Sequence, residues 1–182
     1  MRYWLSFIIV VGLPVVLRFF RERKKAARVF LCAYIITVLI ITLGSRRADI
    51  VTHVSLNPFH VYSTAFKVIA EGVQKYGWSE FGKRLWWYRY QFGNMALNVL
   101  LFMPLGYLLP LSIRSFDRWW QVLLIGFLFS LLIETVQLIT RLGWFDASDL
   151  LHNTLGALIG YWIYCRWLTG LSGTLRNAGK TR

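Results

Sequence analysis

The 182-residue sequence has little charge and very little acid. Charged residues make up 16% of it, and only 8 are aspartate or glutamate against 21 lysines and arginines; soluble domains average about 25% charged residues. With 57% of the chain hydrophobic, a soluble globule of this size could not cover its apolar surface with so few charges. The natural solvent is lipid. Cysteine is scarce too: Cys32 and Cys165 both sit inside apolar runs, which excludes a disulfide framework or a zinc knuckle and leaves them as small buried hydrophobes. There is no glycine-rich phosphate loop, and no serine or cysteine nucleophile stands beside a base. His152 stands alone at a helix start, where a histidine is more often structural. There is no internal repeat or low-complexity stretch, and the missing inverted repeat weighs against a small transporter.

What the sequence does have is a formal charge of +13. A continuous basic face would suggest nucleic acid. Here the basic residues come in short bursts between long uncharged runs, the pattern of cytoplasmic loops and anionic headgroup contacts. Nucleic acid is therefore not the expected partner; membrane lipids are.

Five runs are long and apolar enough to cross a bilayer, allowing for tilt and interfacial ends. They cover Tyr3 to Phe20, Val29 to Ser45, Phe92 to Ile113, Trp119 to Thr140 and Leu150 to Trp167. The first is followed, not preceded, by its cluster of positive charge, so it reads as a retained anchor and not as a secretory signal. Pro14 and Pro104 fall inside spans, where neighbouring helices can satisfy the freed carbonyls. The expected fold is an all-α polytopic membrane bundle of about five transmembrane helices plus an interfacial amphipathic helix. Residues 1–45 would hold two helices and a basic cytoplasmic loop, 46–168 the main domain, and 169–182 a basic cytoplasmic tail.

Lysine and arginine set the orientation. Arg18, Arg21, Arg23, Lys24, Lys25 and Arg28 crowd the first loop, and Arg114 and Arg118 the third. Arg166, Arg176, Lys180 and Arg182 lie at or beyond the last span, while Arg2 and Arg141 are the short-loop bases at the other end. The positive-inside rule then puts the N-terminus out and the C-terminus in. The segment from Arg46 to Gln91 lies outside; its seven basic residues do not oppose this, because long loops translocate largely regardless of charge. Within it, Phe66, Ile69, Val73 and Tyr76 recur at helical spacing opposite Lys67, Glu71, Gln74 and Lys75. That pattern predicts a helix lying on the outer leaflet, with the aromatics from Trp78 to Tyr90 at headgroup level, or else packed over the bundle.

Polar groups inside a membrane are costly. Glu134 lies about 8 Å below the outer surface at 1.5 Å per residue, with Gln137 and Arg141 on the same helical face. Asp149, Asn153, Gly156 and Gly160 share a face of the last span, just after Asp146, and the two glycines permit close helix packing. Asn94 and Asn98 are one turn apart on the third. Asn94, Asn98, Glu134, Gln137, Arg141, Asp146, Asp149 and Asn153 thus gather at one end of the bundle. Amides there could simply bond helices together, and Asp146 and Asp149 could cap a helix. Glue alone does not call for Glu134, since Gln would serve. Three chemistries remain open: cation binding by hard oxygens, acid–base work by a desolvated carboxyl, and headgroup recognition with Arg141 meeting phosphate.

The stretches SLNPF (Ser55 to Phe59), NVLLFMPLGYLLP (Asn98 to Pro110), ETVQ (Glu134 to Gln137) and DASDLLHNTLGALIG (Asp146 to Gly160) together resemble the VanZ-like family of bacterial membrane proteins. The pattern carried over comprises Asn57, Pro58, Phe59, Asn98, Pro104, Gly106, Glu134, Gln137, Asp146, Asp149, Asn153 and Gly156; the first two spans and the tail lie outside it. The resemblance implies a multi-pass protein of the bacterial cytoplasmic membrane. The name-giving member is associated with resistance to teicoplanin, a lipoglycopeptide directed at cell-wall precursors. The leading expectation is binding of a lipid-linked precursor or lipoglycopeptide at the outer leaflet. The rival is an enzyme acting on a polyprenyl-phosphate or other lipid headgroup with Glu134, Asp146 and Asp149 as acid–base groups or metal ligands. Cofactor, metal and catalytic residues stay unassigned at this level.

Overall fold

A computed structural model describes residues 23–44 and 54–178, with side chains described up to residue 166. The expected first span, the N-terminal anchor and Arg46 and Arg47 lie outside the described residues. The fold is all-α: α1 (Arg23–Leu39), which passes into a π-helical turn (Ile40–Gly44), α2 (His60–Ser112), α3 (Trp119–Ile139) and α4 (Ala147–Ala178). Two short strands, β1 (Val54–Ser55) and β2 (Phe145–Asp146), pair in parallel with Val54 opposite Phe145 and Ser55 opposite Asp146.

At 53 residues, α2 would be about 80 Å long if straight, more than twice a bilayer's hydrocarbon core. It is not straight. Gly72 (φ 56°, ψ −156°) and Gly77 (φ 70°, ψ 163°) leave helical geometry for a region that glycine alone enters cheaply, and the chain folds into a hairpin there. The single amphipathic helix expected over residues 66–76 is therefore interrupted, with Phe66 and Ile69 before the break and Val73 and Tyr76 after it. The first arm buries a different stripe. Val61, Ala65 and Val68 pack with Tyr88 and Met95, supported by Tyr76 and Phe81, while Phe66 and Ile69 face outward.

The second arm of α2 forms the bundle with the other helices. Leu31, Tyr34 and Val38 of α1 meet Phe102, Leu105, Leu108 and Leu109 of α2, Val122 and Ile133 of α3, and Ala157 of α4. Pro104 removes one backbone bond from this arm, and Tyr34 donates its hydroxyl to the Leu101 carbonyl in the turn just before it (2.7 Å). Glycine sets the spacing between α2 and α4. A Cβ on Gly156 would lie 2.2 Å from the Val99 carbonyl oxygen, and one on Gly160 1.9 Å from that of Met103. A Cβ on Gly106 would lie 1.8 Å from the Ala157 carbonyl oxygen. Asn98 against Asp149, Val99 against Gly156 and Met103 against Gly160 ascend together, which makes the α2 arm and α4 parallel, whereas α3 runs antiparallel to α4, with Gly126 against Ala157 and Ser130 against Asn153.

The distribution of polarity is inverted relative to a soluble protein. On α3, Leu124, Phe127, Leu128, Leu132 and Ile139 are exposed while Ser130, Glu134 and Gln137 are buried. Lys24–Leu43, His60–Ser112 and Trp119–Ile139 are long and apolar enough to cross a membrane. In α4 the inward residues Ser148, His152 and Asn153 are polar, but Leu151, Leu155 and Trp162 form an apolar outward stripe. Its helix continues to Ala178, into the segment expected to be a tail.

Candidate functional site

The site is built where α2, α3 and α4 meet at the end of the bundle that carries the β1–β2 pair. Asp146 is the N-cap of α4: its Oδ1 accepts the Ser148 backbone N–H (2.8 Å), which satisfies one of the free donors of the first turn. Glu134, 3% exposed, reaches from α3 and accepts the Asp146 backbone N–H on Oε2 (3.2 Å). One acid thus holds the turn that presents the next. Asp149, in the first turn of α4, accepts a hydrogen bond from Asn98 Nδ2 of α2 (2.6 Å). Gln137 donates to the Thr42 carbonyl in the π-helical turn after α1 (3.0 Å), and Asn153 donates to Ser130 Oγ (2.8 Å). Both amides are buried, and their carbonyl oxygens, Gln137 Oε1 and Asn153 Oδ1, have no hydrogen-bond partner among the described residues.

A cavity of about 400 Å³ opens at this end. Asn94, Asn98, Asp146 and Asp149 line it, along with Thr42, Tyr90, Gln91 and Ser148; Ile41, Val61, Met95 and Leu101 supply apolar wall. Glu134, Gln137 and Asn153 sit behind this surface and hold the elements that carry it. Sequence reasoning named four of the lining residues. It missed Gln91 and Tyr90, although they lie three and four positions before Asn94 on one helical face. Thr42 gave no signal, because a single threonine in an apolar run is unremarkable and its position depends on tertiary packing.

Asn57 and Arg141 are not among the residues that line the cavity. Asn57 is exposed and its Oδ1 accepts the Phe59 N–H (3.0 Å), a local turn that starts α2. Arg141 is exposed with φ 56°. The Leu142 N–H bonds to the Gln137 carbonyl (2.9 Å) and the Arg141 N–H to that of Leu138 (3.3 Å), so Arg141 occupies the left-handed position that ends α3, where glycine is usual. His152 has a structural setting. Its Nδ1 faces the Ser148 carbonyl, which can only accept, so Nδ1 carries the proton and Nε2 accepts the Tyr62 hydroxyl (2.6 Å). This pair ties the first arm of α2 to α4. Among the described residues no three histidines, cysteines or acids gather in an arrangement that could hold a metal ion.

An all-α bundle with membrane-length apolar helices and a polar cavity at one end is the class of protein that fold and site define. The chain belongs to the VanZ/LLP1 family, whose sequence model matches residues 30–169. That match takes in most of α1 as well as the four motifs, and β1–β2 pairing explains why SLNPF and DASDLL belong to one pattern: it lays them side by side. No curated protein and no solved structure matches the chain.

Proposed function

We propose that the chain is a cell-envelope membrane protein that crosses the bilayer five times, N-terminus out and C-terminus in, and binds a lipid-linked or lipoglycopeptide ligand at the outer leaflet. The observation that carries this reading is the polar cavity at the end of the bundle remote from Arg28, Arg114 and Arg118. Basic residues favour the cytoplasmic side, so the cavity opens on the other. The apolar outward stripe of α4 supports its counting as a crossing although its inner face is polar. The α2 hairpin stands above the apolar part of the bundle and exposes Trp78, Trp86 and Trp87 near Lys83 and Arg84, a composition suited to the headgroup layer. At about 400 Å³ the cavity is at the small end of the range for ligand sites, so it takes part of such a ligand and not the whole.

The test is binding of labelled teicoplanin and of a labelled polyprenyl-diphosphate-linked saccharide to the purified full chain in nanodiscs. One of the two should bind, and Asn94→Ala should weaken it by about 3- to 10-fold, the value of one or two net hydrogen bonds. Failure of both to bind would overturn the reading.

A further inference from the structure

We infer that the cavity at the polar end is a hydroxyl-recognition site, which takes a sugar ring of the ligand and leaves phosphate outside. This rests on the proposed reading that the ligand is a glycosylated lipid or lipoglycopeptide. Among the described residues no lysine or arginine lines the cavity, and the two ionisable groups that do, apart from the Tyr90 phenol, are the carboxylates Asp146 and Asp149. A phosphate brings only acceptors, so the carboxylate and amide oxygens of the lining would receive no hydrogen from it, and no charged donor lines the described wall. An ammonium brings only donors, and would suit the acids but leave the amide N–H groups of the lining without acceptors.

Asn94 and Gln91 decide between the remaining classes. Both are half-buried and line the cavity, yet neither side chain makes a hydrogen bond among the described residues. Each amide offers donors and an acceptor together, and the Asp146 carboxylate beside them has about four acceptor sites, of which the Ser148 N–H takes one. A hydroxyl is the small group that both donates and accepts, and a ring bearing several can engage amides and carboxylates at once. The apolar wall of Val61, Met95 and Leu101 and the ring of Tyr90 suit the C–H faces of such a ring. Outside the cavity, Lys83 and Arg84 line a separate depression on the α2 hairpin with Trp87, Tyr88 and Glu80, to which Lys83 donates (2.7 Å).

The experiment uses the full chain in nanodiscs with three small probes: N-acetylglucosamine, inorganic pyrophosphate and ethanolamine. Each is followed by saturation-transfer NMR and as a competitor of the labelled ligands. The sugar should give transfer, compete, resist added salt, and lose at least about 3-fold in affinity in Asn94→Ala, as expected for one net hydrogen bond. Because Asn94 makes no bond within the described fold, that variant keeps the packing; Gln91→Ala, at the second unbonded amide of the lining, should weaken the sugar as well. Pyrophosphate or ethanolamine competing in place of the sugar would overturn the inference. So would a labelled ligand that binds in an Asn94-dependent way while the sugar does not, although the broader reading would survive that result. Sugar binding without either labelled ligand would uphold the hydroxyl site and overturn the broader reading.

Discussion

At the scale of single residues, Glu134 is a brace for the site and not part of its surface. Its carboxylate ties α3 to the backbone of Asp146, and Asp146 in turn caps α4 and lines the cavity. Glu134→Gln keeps an acceptor for the Asp146 N–H and should lose less stability than Glu134→Ala. Glu134→Ala leaves that N–H unsatisfied and should cost about 1–3 kcal/mol in thermal unfolding. Equal loss in both variants would mean that the charge itself is required. Arg141 allows the complementary test. A non-glycine residue in left-handed geometry costs about 1–2 kcal/mol, so Arg141→Gly should stabilise α3's end; if it also weakens a phosphate-bearing ligand, the arginine is there for its side chain. The sequence made the conspicuous polar residues legible because each is expensive in lipid. It could not separate those that line the cavity from those that hold it together, since Asn98 and Asn153 look alike in a helical pattern and differ only in what faces them.

At the scale of elements, two glycine roles separate cleanly. Gly160→Ala drives a methyl into the Met103 backbone, which cannot move aside, and should destabilise the α2–α4 pair by about 1–3 kcal/mol. Gly82→Ala is the control: its Cβ would meet nothing within 4 Å in a helical stretch, so it should be neutral or stabilising by up to about 1 kcal/mol. Thermal unfolding of both variants in the same detergent checks this. The G-x-x-x-G spacing was readable as a packing signal. The hairpin in α2 was not, because Gly72 and Gly77 lie in a pattern whose apolar residues recur at helical spacing through the break. Hydrogen bonds from Lys75 and Tyr76 hold the Glu71 carboxyl below the usual carboxylate range. A depressed acid stabilises the fold above its unfolded value and loses that contribution as pH falls through the folded one. The hairpin turn should thus loosen only on acidification below the usual carboxylate range, seen as faster amide exchange around residues 71–76, and stay unchanged near neutrality.

At the scale of the whole molecule, the arrangement makes sense only with lipid as solvent: leucines and aromatics outside, amides and acids inside, and a polar cavity at one end. Composition made that legible, since 57% hydrophobic residues with 16% charged admit few other solutions. Which helices partner which was not legible, because apolar runs of similar character can pack in many orders; the glycine contacts and the β1–β2 pair choose among them. The most direct test of the account is the side of the membrane on which the cavity opens. In a Cys32→Ser, Cys165→Ser background, Asn94→Cys places a thiol in the cavity and Ser115→Cys one at the exposed opposite end. A membrane-impermeant maleimide on intact cells should label the first, and the second only after permeabilisation. Labelling of the second alone in intact cells would place the cavity on the cytoplasmic side and contradict binding at the outer leaflet.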